Sequence, residues 1–306
     1  MNTAGRLGLY GAGLLAIFGI SFAVARPLVS DDAVSRWTAP SNEHSDHESM
    51  PSTDMMGLST ANGGYVLTTL TAPRVTDVGG TLSFRIDDPT GAPLTKYATA
   101  HGKQLHLIAV RTDGSEYRHV HPHLDTATGV WSMPWTWTEA GTYRTYVDFT
   151  PATGTDSVTL SRTVDVAGDL RPTPRAATVT SSTVGGYTAT LSGNLRAGTS
   201  SELAVDISHD GEPVTSLQPY LGAFGHLVAL RQGDLAYLHV HAMGNAPAAA
   251  DRSGPRIDFM ATAPSVGRYL LYLDFQVDGV VRTASFVLDA DAAGSPAPEQ
   301  DHGAHR

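Results

Sequence analysis

The stretch His106-Leu-Ile-Ala-Val-Arg111-Thr-Asp113-Gly114-Ser-Glu-Tyr117-Arg-His119-Val-His121 decides how the rest of the chain is read. It returns as His226-Leu-Val-Ala-Leu-Arg231-Gln-Gly233-Asp234-Leu-Ala-Tyr237-Leu-His239-Val-His241. Three histidines, an arginine and a tyrosine recur at the same spacing. Runs rich in Val, Ile, Leu and Tyr flank Asp113-Gly114 in one copy and Gly233-Asp234 in the other. Asp-Gly suits a type I′ turn and Gly-Asp a type II′ turn, because glycine supplies the positive φ these turns need, so each copy predicts a β-hairpin with a two-residue loop. That loop sets a register with Thr112 opposite Ser115, Val110 opposite Tyr117, Ile108 opposite His119 and His106 opposite His121. His119 and His121 differ by two and share a face. Directly opposed Cβ atoms lie roughly 5 Å apart and diagonal ones roughly 7–8 Å. His106, His119 and His121 are therefore expected to lie together, and likewise His226, His239 and His241. Imidazoles so placed can hold one ion through metal–nitrogen bonds of about 2 Å. The same face carries Ile108, Val110 and Tyr117, and in the second copy Val228, Leu230 and Tyr237. On such an apolar, core-facing side the competing reading is a neutral, hydrogen-bonded structural histidine.

Working outward, further segments repeat in the same order. Gly63-Gly64-Tyr65 is matched by Gly185-Gly186-Tyr187, and Gly91-Ala-Pro93 by Gly211-Glu-Pro213. Gly141-Thr-Tyr143-Arg-Thr-Tyr146-Val-Asp148-Phe149 is matched by Gly267-Arg-Tyr269-Leu-Leu-Tyr272-Leu-Asp274-Phe275. The second copy adds an Ala/Pro-rich loop from Gly244 to Gly254. Units of about a hundred residues are too long for solenoid repeats and suit domains. Leu82-Ser-Phe84-Arg-Ile86 and Leu203-Ala-Val205-Asp-Ile207 alternate with the period of a strand, and nothing beyond residue 30 has helical periodicity. The fold class expected is all-β, with tandem β-sandwiches over 63–168 and 182–290 joined by a linker at 169–181.

Composition narrows the function. The chain has 306 residues, with 30 acidic and 20 basic side chains and a net charge of −10, which argues against a nucleic-acid partner. It has 13 histidines and no cysteine. That excludes disulfides, cysteine-based zinc fingers, iron–sulfur clusters, a cysteine nucleophile, a thiolate-ligated blue-copper centre and a lipid-modified cysteine. Leu7 to Val24 is almost wholly apolar after Arg6 and as a helix would be roughly 27 Å long. Residues 1–29 are read as a transmembrane anchor, or as a signal peptide cleaved near Ala23-Val24-Ala25. Either places the remainder of the chain outside the cytoplasm. Residues 30–62 are polar and aperiodic, the pattern of a flexible linker. They carry His44, His47, Met50, Met55 and Met56, soft to borderline ligands that suit copper. Residues 291–306 read as a disordered tail with His302 and His305.

Two resemblances add to this. The Tyr143 and Tyr269 segments resemble the late strand of an immunoglobulin-like sandwich, where a corner tyrosine bonds back to the backbone. The run Leu217-Gln-Pro219-Tyr220-Leu-Gly-Ala-Phe-Gly225-His226, continuing to His239-Val-His241, resembles exported proteins with tandem cupredoxin- or immunoglobulin-like domains, grouped with copper-handling secreted proteins. The resemblance spans most of residues 63–290 and implies a link to copper. No nucleophile elbow, phosphate loop or His-Glu-x-x-His motif is present. Gly233 to His241 has the opening spacing of a cupin motif but lacks its acidic ligand. The expected function is therefore an exported, non-enzymatic metal-binding protein using His106, His119 and His121 and His226, His239 and His241, with copper as the ion and zinc as the alternative. Met243 beside the second set would favour Cu(I). Asp148 and Asp274 either orient a ligand histidine or pair at a strand end. The expected partners are a metal ion and, through the N-terminal segment, the membrane. The alternative is a cell-envelope interaction or adhesion module with structural histidines.

Overall fold

The computed structural model describes residues 57–154, 156–238 and 240–292. Leu7 to Val24, the linker residues His44 to Met56, His239, and the tail with His302 and His305 lie outside the described residues. No described helix is long and apolar enough to cross a membrane.

The described chain is all-β and forms two sandwiches. In the first, one sheet runs Ala61–Asn62, Tyr65–Thr71, Gly80–Asp87, Val130–Trp135 and His123–Asp125 in spatial order. The other runs Val158–Val166, Gly141–Pro151, Leu105–Arg111 and Arg118–Val120, with Tyr97–Ala98 on the far end of Gly141–Pro151. The second sandwich repeats the plan. One sheet is Ser181–Val184, Tyr187–Gly193, Ser200–His209, Arg256–Thr262 and Val240–Ala242. The other is Leu195–Arg196, Val280–Asp291, Gly267–Val277, Gly225–Arg231 and Tyr237–Leu238. Ala61–Asn62 pairs with Tyr65–Thr71, so ordered pairing starts just ahead of the Gly63-Gly64 motif.

Side-chain alternation explains three separate cores. In Leu105–Arg111 every residue is buried. Leu105, Leu107 and Ala109 enter the first sandwich with Phe84, Trp131, Trp137 and Val147. Ile108 and Val110 point the other way. They meet Tyr146 together with Val228, Leu230, Leu270 and Tyr272 of the second repeat in an apolar layer shared by both repeats. The second sandwich holds Leu203, Val205, Phe259, Leu271, Leu273 and Phe275 in its own core. The face expected to point into one sandwich therefore packs against the other repeat. The sequence shows that it is apolar and not which surface covers it.

Both corner tyrosines bond back to the main chain. The Tyr143 hydroxyl donates to the Glu139 carbonyl at 2.8 Å and that of Tyr269 to Ser265 at 2.9 Å.

Candidate metal centre

The hairpin register expected for the first copy is the one observed: Ile108 lies opposite His119 and Leu107 opposite Val120. The turn that sets it differs. Gly114 N–H donates to the Arg111 carbonyl and Arg111 N–H to the Ser115 carbonyl, which closes a three-residue loop with Gly114 at φ +83°. Glu116, at φ +55°, absorbs one further residue and returns the strand to register. In the second copy Arg231 N–H donates to the Ala236 carbonyl around a four-residue loop, with Leu235 at φ +59°. The two-residue turns read from Asp-Gly and Gly-Asp are absent because side chains claim the loops. Asp113 accepts from Ser115 and Arg111 and from the Thr173 N–H, and Asp234 accepts from Arg231 and Ala236. The Arg111 guanidinium also reaches the Ala140 and Arg171 carbonyls, which accounts for the arginine in the repeated motif.

At the open end of the first hairpin three imidazoles converge. His106 is buried on Leu105–Arg111 and His119 lies on Arg118–Val120. His121 sits where the chain leaves that sheet for the strand at His123–Asp125. His106 Nδ1 is 3.0 Å from His119 Nε2 and 3.2 Å from His121 Nε2. One ring nitrogen of each lies within 4.8 Å of the others, and among the described residues this is the one group of three or more metal-capable side chains so closely spaced. Ligands on a tetrahedral ion with bonds of about 2.0–2.1 Å sit about 3.3 Å apart, so small adjustments would admit one.

The outer ring nitrogens decide the protonation. His106 Nε2 lies 3.3 Å from the Ala100 carbonyl, which only accepts, so the proton belongs on Nε2. His119 Nδ1 lies 2.8 Å from Asp274 Oδ2, and a carboxylate likewise accepts, so its proton belongs on Nδ1. In neutral rings the inner atoms, His106 Nδ1 and His119 Nε2, then face each other with lone pairs at 3.0 Å. That contact repels unless a proton or metal lies between them or the neutral His121, whose Nε2 is 3.2 Å from His106 Nδ1, turns its N–H towards them. Burial, reinforced by His119, pushes His106 down to about 4. Burial, reinforced by His119 and His106, pushes His121 down to about 3. Both rings are thus neutral near pH 7, the state a metal ligand requires.

Among the described residues one such cluster is found, and His239 of the second set lies outside them. His226 turns to the first cluster, its ring stacked on His106 at 5.7 Å and 5.1 Å from that of His119. His101, at φ +52° in the loop before Leu105–Arg111, lies 5.7 Å from His226. His241 is exposed on Val240–Ala242, where it pairs with Met260, and with His101, His226 and Met243 it lines a cleft of about 460 Å³. His239 lies outside the described residues. The aspartates divide as well. Asp148 accepts from Ser157 and Thr159. Asp274 accepts from Thr283 at 2.6 Å and also from His119, a residue of the other repeat. Nothing in the sequence pairs Asp274 with His119. The hint available was that the histidine face is apolar in both copies, as a mutual interface requires.

A family model described as a domain of unknown function, DUF8832, matches residues 59–168 and again 182–292. No curated protein sequence matches the chain. Among solved structures the chain is similar to domains 1–6 of the surface layer protein SbsC (11% identity, TM-score 0.25), covering 77% of this chain and 28% of that one. It is also similar to invasin, a bacterial integrin-binding protein (14%, TM-score 0.21), covering 74% and 39%. A third is the Yersinia pseudotuberculosis adhesin InvE (12%, TM-score 0.20), covering 74% and 58%. The chain spans less than two thirds of the length of each of these structures.

Proposed function

The chain belongs to the DUF8832 family, which it matches twice, and from that premise we propose that it is a non-catalytic metal-binding protein working outside the cytoplasm. Its centre is the cluster His106, His119 and His121, and the ion is a borderline divalent cation, copper or zinc, for which imidazole is a fitting ligand. The observation that carries this reading is the facing pair of inner nitrogens, His106 Nδ1 and His119 Nε2, whose outer partners are both acceptors. A ring held by a carboxylate or carbonyl on one nitrogen, with the other nitrogen turned towards further ligands, is the usual setting of a metal-bound histidine. The apolar segment Leu7 to Val24 supports a location beyond the membrane.

Equilibrium dialysis of the full chain against Zn(II) or Cu(II) at neutral pH tests it. Wild type should retain one more tightly held ion per chain than the double variant His106→Ala/His119→Ala. Equal metal content would sink the proposal, because the other histidines would then account for all binding.

A second reading rests on the buried contact between His119 and Asp274, whose side chains are 1% and 3% exposed. A protonated His119 would donate to Asp274 and to His106 and fill the gap with a proton. The chain would then be an interaction module with structural histidines, and chelators would leave its melting temperature unchanged.

A further inference from the structure

Resting on the metal-binding reading, we propose that the centre belongs to both repeats: Asp274 positions His119, and His226 supplies a fourth nitrogen. Two observations on different strands of the second repeat support this. The first is the 2.8 Å contact from His119 Nδ1 to Asp274, itself fixed by Thr283. It sets the tautomer and aim of a first-repeat ligand from the second repeat. The second is the place of His226. Imidazoles sharing an ion with bonds of about 2 Å have centroids about 5 Å apart. The three first-repeat rings are 5.0 to 5.2 Å apart. His226 lies 5.1 Å from His119 and 5.7 Å from His106. It is half-buried, and it sits beside Asp274 in the pairing of Gly225–Arg231 with Gly267–Val277. Its ring now lies parallel to that of His106, so the side chain must turn to aim a nitrogen at an ion held by the other three. The ion would then pin together two sheets that already share an apolar layer, so its occupancy would set how firmly the repeats hold.

Full-length wild type, His226→Ala, His226→Gln and Asp274→Asn, each checked for folding by metal-free melting, are titrated with Co(II) as a spectroscopic probe and with Zn(II) for affinity. The expected result is a wild-type Co(II) spectrum of a four-coordinate centre. Both His226 variants should shift and weaken its visible bands, as water replaces a nitrogen, and bind Zn(II) at least tenfold more weakly. Asp274→Asn should bind Zn(II) ten- to a hundredfold more weakly while keeping the four-coordinate spectrum, a separation that loss of folding would not produce. A His226 variant with wild-type spectrum and affinity, or Asp274→Asn with wild-type affinity, overturns the shared centre. Absence of any Co(II) or Zn(II) binding in wild type would instead remove the metal-binding reading beneath it.

Discussion

At the scale of the residue, the histidines carry a pH dependence whose sign follows from burial. His106 and His121 are neutral in the fold, with pKa values pushed down to about 4 and about 3 from the ordinary 6.5. The unfolded chain therefore binds more protons than the folded one between pH 6.5 and those values, and stability falls with pH across that window. Above pH 6.5 both states are neutral and the contribution is flat. For His106 the loss by pH 4 is up to about 3 kcal/mol, and for the less buried His121 it is smaller because water screens it. Urea denaturation of metal-free protein from pH 7.5 to 4 should show the decline, and His106→Gln should make it shallower, leaving the His121 part. A profile as steep in that variant would mean another group is responsible. The convergence of His106, His119 and His121 was legible in the sequence, because a two-residue periodicity and one register suffice to place them. The protonation was not, since it depends on the Ala100 carbonyl and Asp274, which no local pattern connects to the rings.

At the scale of the element, the hairpins show where sequence reading of a turn stops. Asp113-Gly114 does mark a turn, but not the two-residue one its composition suggests. The Asp113 carboxylate, held well below its usual range by the hydrogen bond from Arg111, organises a longer loop. The position of Gly114 adds a demand beyond its φ of +83°. A Cβ there would press into Leu270 and touch the Tyr272 hydroxyl of the second repeat. Gly233, in the matching loop at φ +108°, has open space around it. Gly114→Ala should thus combine backbone strain with overpacking and cost about 2–4 kcal/mol, against about 1–2 for the strain alone in Gly233→Ala. Chemical denaturation of the two variants checks this, and equal costs would show that Leu270 yields without penalty. The corner tyrosines were legible from Gly-x-Tyr because their bond is local, reaching a carbonyl four residues back.

At the scale of the whole molecule, the repeats were legible as tandem sandwiches but not as a pair. Matched motifs reveal duplication, whereas the pairing depends on which apolar faces meet. Here Ile108 and Val110 meet Val228 and Leu230, Tyr117 stacks on Tyr272 at 4.0 Å, and Tyr146 lies against Tyr237. The Tyr272 hydroxyl donates to the Gly114 carbonyl at 2.7 Å, and that of Tyr146 donates to Leu235 of the second repeat. With a core common to both, the repeats should unfold in one calorimetric transition. Tyr272→Phe should cost about 1 kcal/mol by removing a buried bond and orphaning the Gly114 carbonyl. Two resolved transitions would show that the shared layer does not couple the repeats. The measurement that bears most directly on the proposed metal centre is the melting temperature of the full chain with and without Zn(II), for wild type and His121→Ala. An ion that binds only the folded chain adds about 2.7 kcal/mol at a hundred times its Kd, which for a protein of this size raises Tm by roughly 5–10 °C. That shift is predicted for wild type and should be largely lost in His121→Ala; no shift in wild type, or the same shift in both, would contradict the account.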